Sequence, residues 1–289
     1  MERELWPILY KYIHEVAKEV RQKYVQMQPW IIVTTMLWAA VHDRPVCWAC
    51  NPEHWDTTPL RPLRIPSEAT MSRRVDAVAT GIFWHALEKR LRDSGDASLV
   101  AFIDGKPLTI GGNSKDPDAH WGRGVGGMAM GYKLHTVWST RVLPEAWEVT
   151  ALNISEKAVA RRLIDQLHGG GYLLADGEYD ASDLYDQAFA RGYRMVAPYR
   201  KAKNPGSGKH YQSPHRLQNI ETMQHAFGKE LYKMRTQIER CFGNATNFGG
   251  GLAPLPAWVR GLARVRTWVW AKLLINAARI LRNKDLDHP

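Results

Sequence analysis

The chain has 289 residues, 45% of them apolar, three cysteines and a formal net charge of +10. That length fits one large domain or a domain with a smaller companion, and the apolar share is enough for a core. Three cysteines exclude a disulfide framework and fit a reducing cytosol, and no signal-peptide pattern opens the sequence. The longest apolar run, residues 30–41, is too short to cross a bilayer, so a soluble intracellular protein without a membrane partner is expected.

The charge is unevenly placed. Residues 190–289 hold 18 Lys/Arg against 5 Asp/Glu, whereas residues 1–189 hold 21 against 24. A basic C-terminal third fits a polyanion partner, nucleic acid first, or a solvated basic surface that keeps the chain soluble.

In chain order, residues 1–28 show helical spacing of Leu5, Ile8, Leu9, Tyr12, Val16 and Val20, and Pro29 ends that helix. Residues 30–41 predict a second, buried helix, and residues 42–66 a proline-rich loop. There Cys47-x2-Cys50, with His42 and His54 near, has the spacing of a zinc pair, while Trp48, Trp55 and the prolines fit a packed loop. Ser67 with Glu68, or Thr70, caps a helix running to about Arg92. Within 60–92 the pattern has the look of a helix-turn-helix that would bring Arg73 and Arg74 to DNA, although basic residues on an exposed helix are also simply solvated. The polar residues 93–98 form a linker and the expected domain boundary.

Beyond the linker the pattern turns to strands and helices. Strands are predicted at 99–104, 131–138, 146–152, 172–176 and 193–197. Helices are predicted at 155–167 behind the cap Ser155, after 176 to Ala190, at 220–243 and at 257–283. The glycine-rich residues 105–130 read as a mobile loop, 198–219 as a basic loop, and Gly249 to Gly251 as a break. Three strands in a meander followed by helix, strand, helix and strand is an α/β order.

Two acids share one local setting. Asp104 follows the apolar run Leu99 to Ile103, Asp176 follows Leu173-Leu174-Ala175, and a glycine comes after each. Ligand and catalytic groups of open α/β sheets gather at such strand ends. The alternative for each acid alone is a cap on the following turn. Glu178 and Asp180 stand close by, Asp180 well placed to cap the next helix. Glu239 adds a third acid from a basic helix on which Tyr232, Arg235 and Glu239, at i, i+3 and i+7, share a face. Two strand-end Asp residues and a helical Glu form the oxygen set that suits a pair of Mg²⁺ or Mn²⁺ ions in phosphoryl transfer. Arg235 would orient Glu239, hold a DNA phosphate, or form an ordinary surface pair.

These motifs resemble the DDE transposases of bacterial insertion sequences. The residues that carry the likeness are Phe102 to Leu108, Gly131 to His135, Leu174 to Asp180, and Tyr232-x2-Arg235-x3-Glu239-Arg240-x-Phe242. The likeness covers about 99–283. Thr246 stands where the pattern often has a lysine. The resemblance implies a ribonuclease-H-like mixed sheet flanked by helices over 96–289, with basic C-terminal helices lining a DNA channel, after an all-helical DNA-binding region at 1–95. It implies Asp104, Asp176 and Glu239 as catalytic metal ligands for two Mg²⁺ or Mn²⁺ ions. Tyr232, Arg235, Arg240 and Lys133 would join Arg73 and Arg74 in contacting DNA, and His135 faces either the site or the core. The implied partner is double-stranded DNA, as terminal inverted repeats and as target, held by a homodimer in a nucleoid-associated, cytoplasmic setting. The implied reaction is cleavage at the transposon ends and transfer of the freed 3′-hydroxyl strand. A nuclease that cuts without joining, and a silent DNA-binding protein on the same fold, stand as alternatives.

Overall fold

The computed structural model describes residues 2–20, 27–56, 58–93, 98–199, 212–246 and 251–287. Most of the predicted linker 93–98 and of the basic loop 198–219, part of the 249–251 break and the last residues of the first predicted helix lie outside them. The chain divides into two compact units, one of residues 1–95, 245–260 and 264–289, the other of residues 96–244 and 261–263.

The first unit is helical. It holds α1 (Glu2–Glu19), α2 (Pro29–Val41), α3 (Val46–Ala49), α4 (Glu68–Arg74) and α5 (Val78–Arg92). Pro29 opens α2, where a missing N–H costs nothing, and no residue of α2 is charged. Nearly every side chain of α2 is buried, at about 1.5–3 kcal/mol for each large one, so this helix needs no polar face. The predicted loop at 42–66 holds α3 and a 3-10 turn (Pro52–Trp55), and its described residues pack around tryptophans: Trp38 stacks on Trp55 at 4.7 Å and meets Trp6 edge-on at 4.8 Å. Each indole N–H reaches a carbonyl, of Leu60, His54 or Ala49, as burial of such a donor requires. Cys47 is exposed, the Cys50 thiol donates to Val46 O, and His54 Nδ1 meets Trp48 O at 2.7 Å.

The predicted helix at 67–92 is two helices. Ser67 caps α4 by accepting from Thr70 N, and the chain turns at 75–77 before α5. Thr80 Oγ1 donates to Arg74 O at 2.7 Å and closes that turn. Arg73 and Arg74 stand exposed in the last turn of α4.

The last helix completes this unit. Trp270 stacks on Trp84 at 5.4 Å, and Lys272, buried, donates to Ala40 O and Asp43 Oδ1 while lying over the Trp268 ring. Residues 264–289 therefore belong with the N-terminal helices rather than with the sheet.

The second unit is a six-stranded sheet with helices. Its strands are β1 (Val100–Ile110), β2 (His120–Gly124), β3 (Gly127–Trp138), β4 (Ala146–Ala151), β5 (Gly171–Leu174) and β6 (Tyr193–Val196), with α6 (Glu156–Asp165) and α7 (Ser182–Ala190) between the later ones. β3 and β1 pair antiparallel, β2 and β4 lie beside β3, and β5 and β6 continue from β1 in parallel. This mixed order is the ribonuclease-H-like topology. Ile103, Val137, Leu173 and Met195 meet Val159 and Leu163 of α6 and Leu184 and Tyr185 of α7 in one buried cluster. The glycines before Tyr172 have a steric reason. At Gly171, φ is 128° and a Cβ would lie 2.1 Å from Leu99 O, where Tyr172 N donates.

Several predicted boundaries differ. β1 runs through Asp104 to Ile110, because antiparallel pairing with β3 carries on after the parallel pairing with β5 ends. The glycine-rich residues, expected as a loop, hold β2 and a hairpin turn with Gly126 at φ 85°. The predicted helix at 220–243 is α8 (Pro214–Thr222), α9 (Ala226–Lys233), a 3-10 turn (Met234–Thr236) and α10 (Gln237–Thr246); α11 spans Leu262–Asp287.

Candidate active site

The last residues paired between β1 and β5 are Phe102 and Leu174. Asp104 and Asp176 each come two residues later, one inside a strand and one just beyond its end. The matching local sequences of the two acids thus correspond to matching positions on neighbouring parallel strands.

Each carboxylate divides its oxygens. Asp104 Oδ1 accepts from Gly105 N, and Asp176 Oδ1 from Glu178 N, both at 2.8 Å. Asp176 thereby caps the following 3-10 turn, whereas Asp104 holds the next amide within β1. The second oxygens turn to one cation: Arg235 Nη2 lies 3.0 Å from Asp104 Oδ2 and 3.8 Å from Asp176 Oδ2. At Asp176 capping and convergence coexist.

The pair is electrostatically costly. Burial pushes the Asp104 carboxyl up to about 6; Gly105 N and Arg235 oppose the rise, and Asp176 and Glu156 add to it. Asp176 is raised as well, by burial first. Burial also raises the half-buried Tyr232 hydroxyl, with Arg235 opposing and both Asp residues adding. Tyr179, 1% exposed, is raised by burial and by the charges of Glu156, Asp104 and Asp176.

Glu239 does not join them. It is exposed on α10, past the 3-10 turn that holds Arg235 and separates Glu239 from Tyr232. The shared face expected at i, i+3 and i+7 needs one continuous α-helix, and a tighter turn breaks that phase. Among the described residues, no three His, Cys, Asp or Glu side chains gather closely enough to hold a metal ion. Asp104 and Asp176 alone fit a hard divalent ion: two carboxylate oxygens already share one cationic nitrogen.

The other expected contacts lie apart. Arg240, like Arg73 and Arg74, is exposed. Lys133 is buried, and its ammonium donates to Glu156 Oε1 at 2.6 Å. Its stem lies over Gly105, where a Cβ would come 2.9 Å from Lys133 Cδ. His135 is 1% exposed beside the same glycine, its Nε2 3.0 Å from Thr150 Oγ1, and burial drives it down to about 3. Asp180 does not cap α7. Its carboxylate takes Arg216 of α8 in a fork, Nε to Oδ1 and Nη2 to Oδ2, each at 2.7 Å. Glu156 and Arg216 were not singled out in the sequence. Ser155 followed by an acid signalled only a helix start, and Arg216 gave no signal at all.

The mixed sheet thus carries an acid pair on two neighbouring parallel strands, β1 and β5. Residues 96–275 match the family described as "Transposase DDE domain", and the chain belongs to that family. No curated protein sequence matches the chain significantly. Among solved structures, the cryo-EM structure of a piggyBac transposase synaptic complex with hairpin DNA is similar at 12% identity and a TM-score of 0.37. The match covers 71% of this chain and 53% of that one, so the chain spans about half the length of that transposase.

Proposed function

We propose that the chain is a DNA transposase that cleaves the ends of its mobile element and transfers the freed 3′-hydroxyl strand to target DNA. The observation that carries the reading is the convergence of Asp104 and Asp176 on one cation position, 3.0 and 3.8 Å from a single nitrogen. Membership of the DDE transposase family supports it.

In this reading Asp104, Asp176 and Glu239 hold two Mg²⁺ or Mn²⁺ ions, Glu239 arriving when the site assembles on DNA. Bound there, the ions would supply an activated oxygen nucleophile and neutralise the leaving oxygen in both in-line displacements. The chain's own residues do the positioning. The backbone bonds to each Oδ1 fix the two carboxylates and turn each Oδ2 toward the cation position, where the ions would bind. Arg235 and Tyr232, beside the acids, orient that phosphate by charge and hydrogen bond. The exposed Arg240, Arg73 and Arg74 hold the flanking DNA backbone, which adds affinity and salt dependence without reading sequence. Double-stranded DNA is the partner, and a homodimer brings two ends together. No described helix is long and apolar enough to cross a membrane; a cytoplasmic, nucleoid-associated setting is part of the proposal.

The test is an assay of the purified chain on duplexes carrying the ends of its element, with Mg²⁺ or Mn²⁺. Cleavage and joined products are expected, and Asp104→Ala, Asp176→Ala and Glu239→Ala should each lower both by about 10³-fold or more. Cleavage without joined products would leave a nuclease. Binding without cleavage by the wild type would leave a DNA-binding protein.

A further inference from the structure

We infer that Arg235 is the built-in counter-ion of the acid pair, occupying the cation position between Asp104 and Asp176 and yielding it when DNA draws the guanidinium away. The inference rests on the acid pair being the divalent-ion site of the proposed function. It adds that metal and DNA binding are coupled through this one side chain.

Three observations carry it. First, a single nitrogen serves both acids: Nη2 stands 3.0 Å from Asp104 Oδ2 and 3.8 Å from Asp176 Oδ2. Two carboxylates turned toward one point repel unless a cation lies between them. A guanidinium and a divalent ion cannot both take that point.

Second, the guanidinium is poorly satisfied where it sits. Its Nε is buried without a hydrogen-bond partner, and the contact to Asp176 is long. An arginine fork matches the oxygens of a phosphate better than one nitrogen matches two separated carboxylates. A DNA phosphate near the site therefore offers Arg235 more than the acids do.

Third, Arg235 lies on a joint. Residues 234–236 form a 3-10 turn between α9 and α10, and none of the three is buried. A short 3-10 stretch between two helices is a common hinge, since rewinding it changes both rotation and rise per residue. The arginine can leave without removing a core side chain.

The consequence is a reciprocal linkage. Without DNA, Arg235 holds the acids and divalent ions must displace it. With DNA, the acids are bare and bind ions more tightly, and bound ions in turn release Arg235 to DNA. Premature metal loading is resisted by the protein itself.

The experiment is a titration of the full chain with Mn²⁺ alone, read by calorimetry or by the spin resonance of free Mn²⁺, with and without an end-bearing duplex. Wild type is compared with Arg235→Gln, Arg235→Lys and Asp104→Asn, each first checked for folding by circular dichroism. Without DNA, Arg235→Gln should bind Mn²⁺ about tenfold more tightly than wild type, and Arg235→Lys should fall between them. DNA should tighten Mn²⁺ binding by wild type about tenfold, and by Arg235→Gln less than about threefold. Should the Gln variant unfold, the Lys variant alone decides the sign. Mn²⁺ binding that requires Asp104 yet is equal or weaker in Arg235→Gln overturns the counter-ion role and leaves the proposed function standing. Mn²⁺ binding unaffected by Asp104→Asn, or absent throughout, removes the acid-pair site itself and the inference with it.

Discussion

Two arginine–aspartate contacts flank the short loop from Asp176 to Asp180, and they differ in every respect that matters for energy. Arg216 meets Asp180 through two parallel bonds of 2.7 Å, with the carboxylate side chain 2% exposed and the guanidinium over the Tyr199 ring. Arg235 meets Asp104 and Asp176 through one nitrogen, with all three side chains 21–34% exposed and Nε unsatisfied. The first contact is a clamp that ties α8 to the loop. The second is a loose bridge over two acids that burial has already raised. Satisfied buried charge marks what the fold holds still, and half-satisfied charge marks what it keeps available.

Breaking the clamp gives the largest effect. Arg216→Met takes the guanidinium from the buried Asp180 carboxylate, which keeps only a neutral bond with Tyr185 to offset its charge among the contacts described, and should destabilise the protein by about 3–5 kcal/mol, seen as a lower denaturant midpoint at unchanged slope. Lys133→Met tests a contact of intermediate kind, since Lys133 is buried but Glu156 is a quarter exposed. A loss of about 1.5–3 kcal/mol is expected there, the range of a charge-assisted bond. DNA affinity measured by anisotropy should stay unchanged, because the ammonium faces Glu156.

A pH series separates these charges from a neighbouring group that is buried uncharged. His135 is held near 3, well below its ordinary 6.5. The unfolded chain therefore binds the extra proton first, and the stability owed to a neutral His135 is complete above 6.5 and is lost as pH falls toward 3. The slope between those limits should approach about 1.4 kcal/mol per pH unit for this one group, and His135→Gln should flatten it. The smallest effect belongs to the bridge. Arg235→Gln should change stability by less than about 1 kcal/mol near pH 7, and a loss as large as that of Arg216→Met would erase the distinction between clamp and bridge.

The sequence showed the acid pair because the two strand contexts repeat, and strand contexts are local. It did not show that β1 runs on past Asp104, because that extension depends on β3, which is more than twenty residues away. Glu239 was placed on one face with Arg235 by assuming 3.6 residues per turn, and a three-residue turn of tighter pitch undid the phase. Lys133 reads as a basic residue open to DNA; Gly105, opposite His135 and diagonal to Lys133, leaves room for its stem, and the ammonium reaches Glu156 on a later helix. Asp180 looked like a helix cap because its partner lies 36 residues on. The helix predicted at 257–283 carried no sign of what buries it, because Trp84 and Ala40 lie far back in the chain.

The placing of α11 with the N-terminal helices has a consequence for how the protein is made. The ribosome delivers residues 1–95 first, yet Trp84 and Ala40 wait for Trp270 and Lys272. At about 5–20 residues per second, the interval between residue 95 and the arrival of α11 is roughly 10–40 s. The sheet unit, nearly continuous in sequence, can close within that time. The helical unit must remain open through it, with the α2 and α5 surfaces that α11 later covers exposed to chaperones and to other nascent chains.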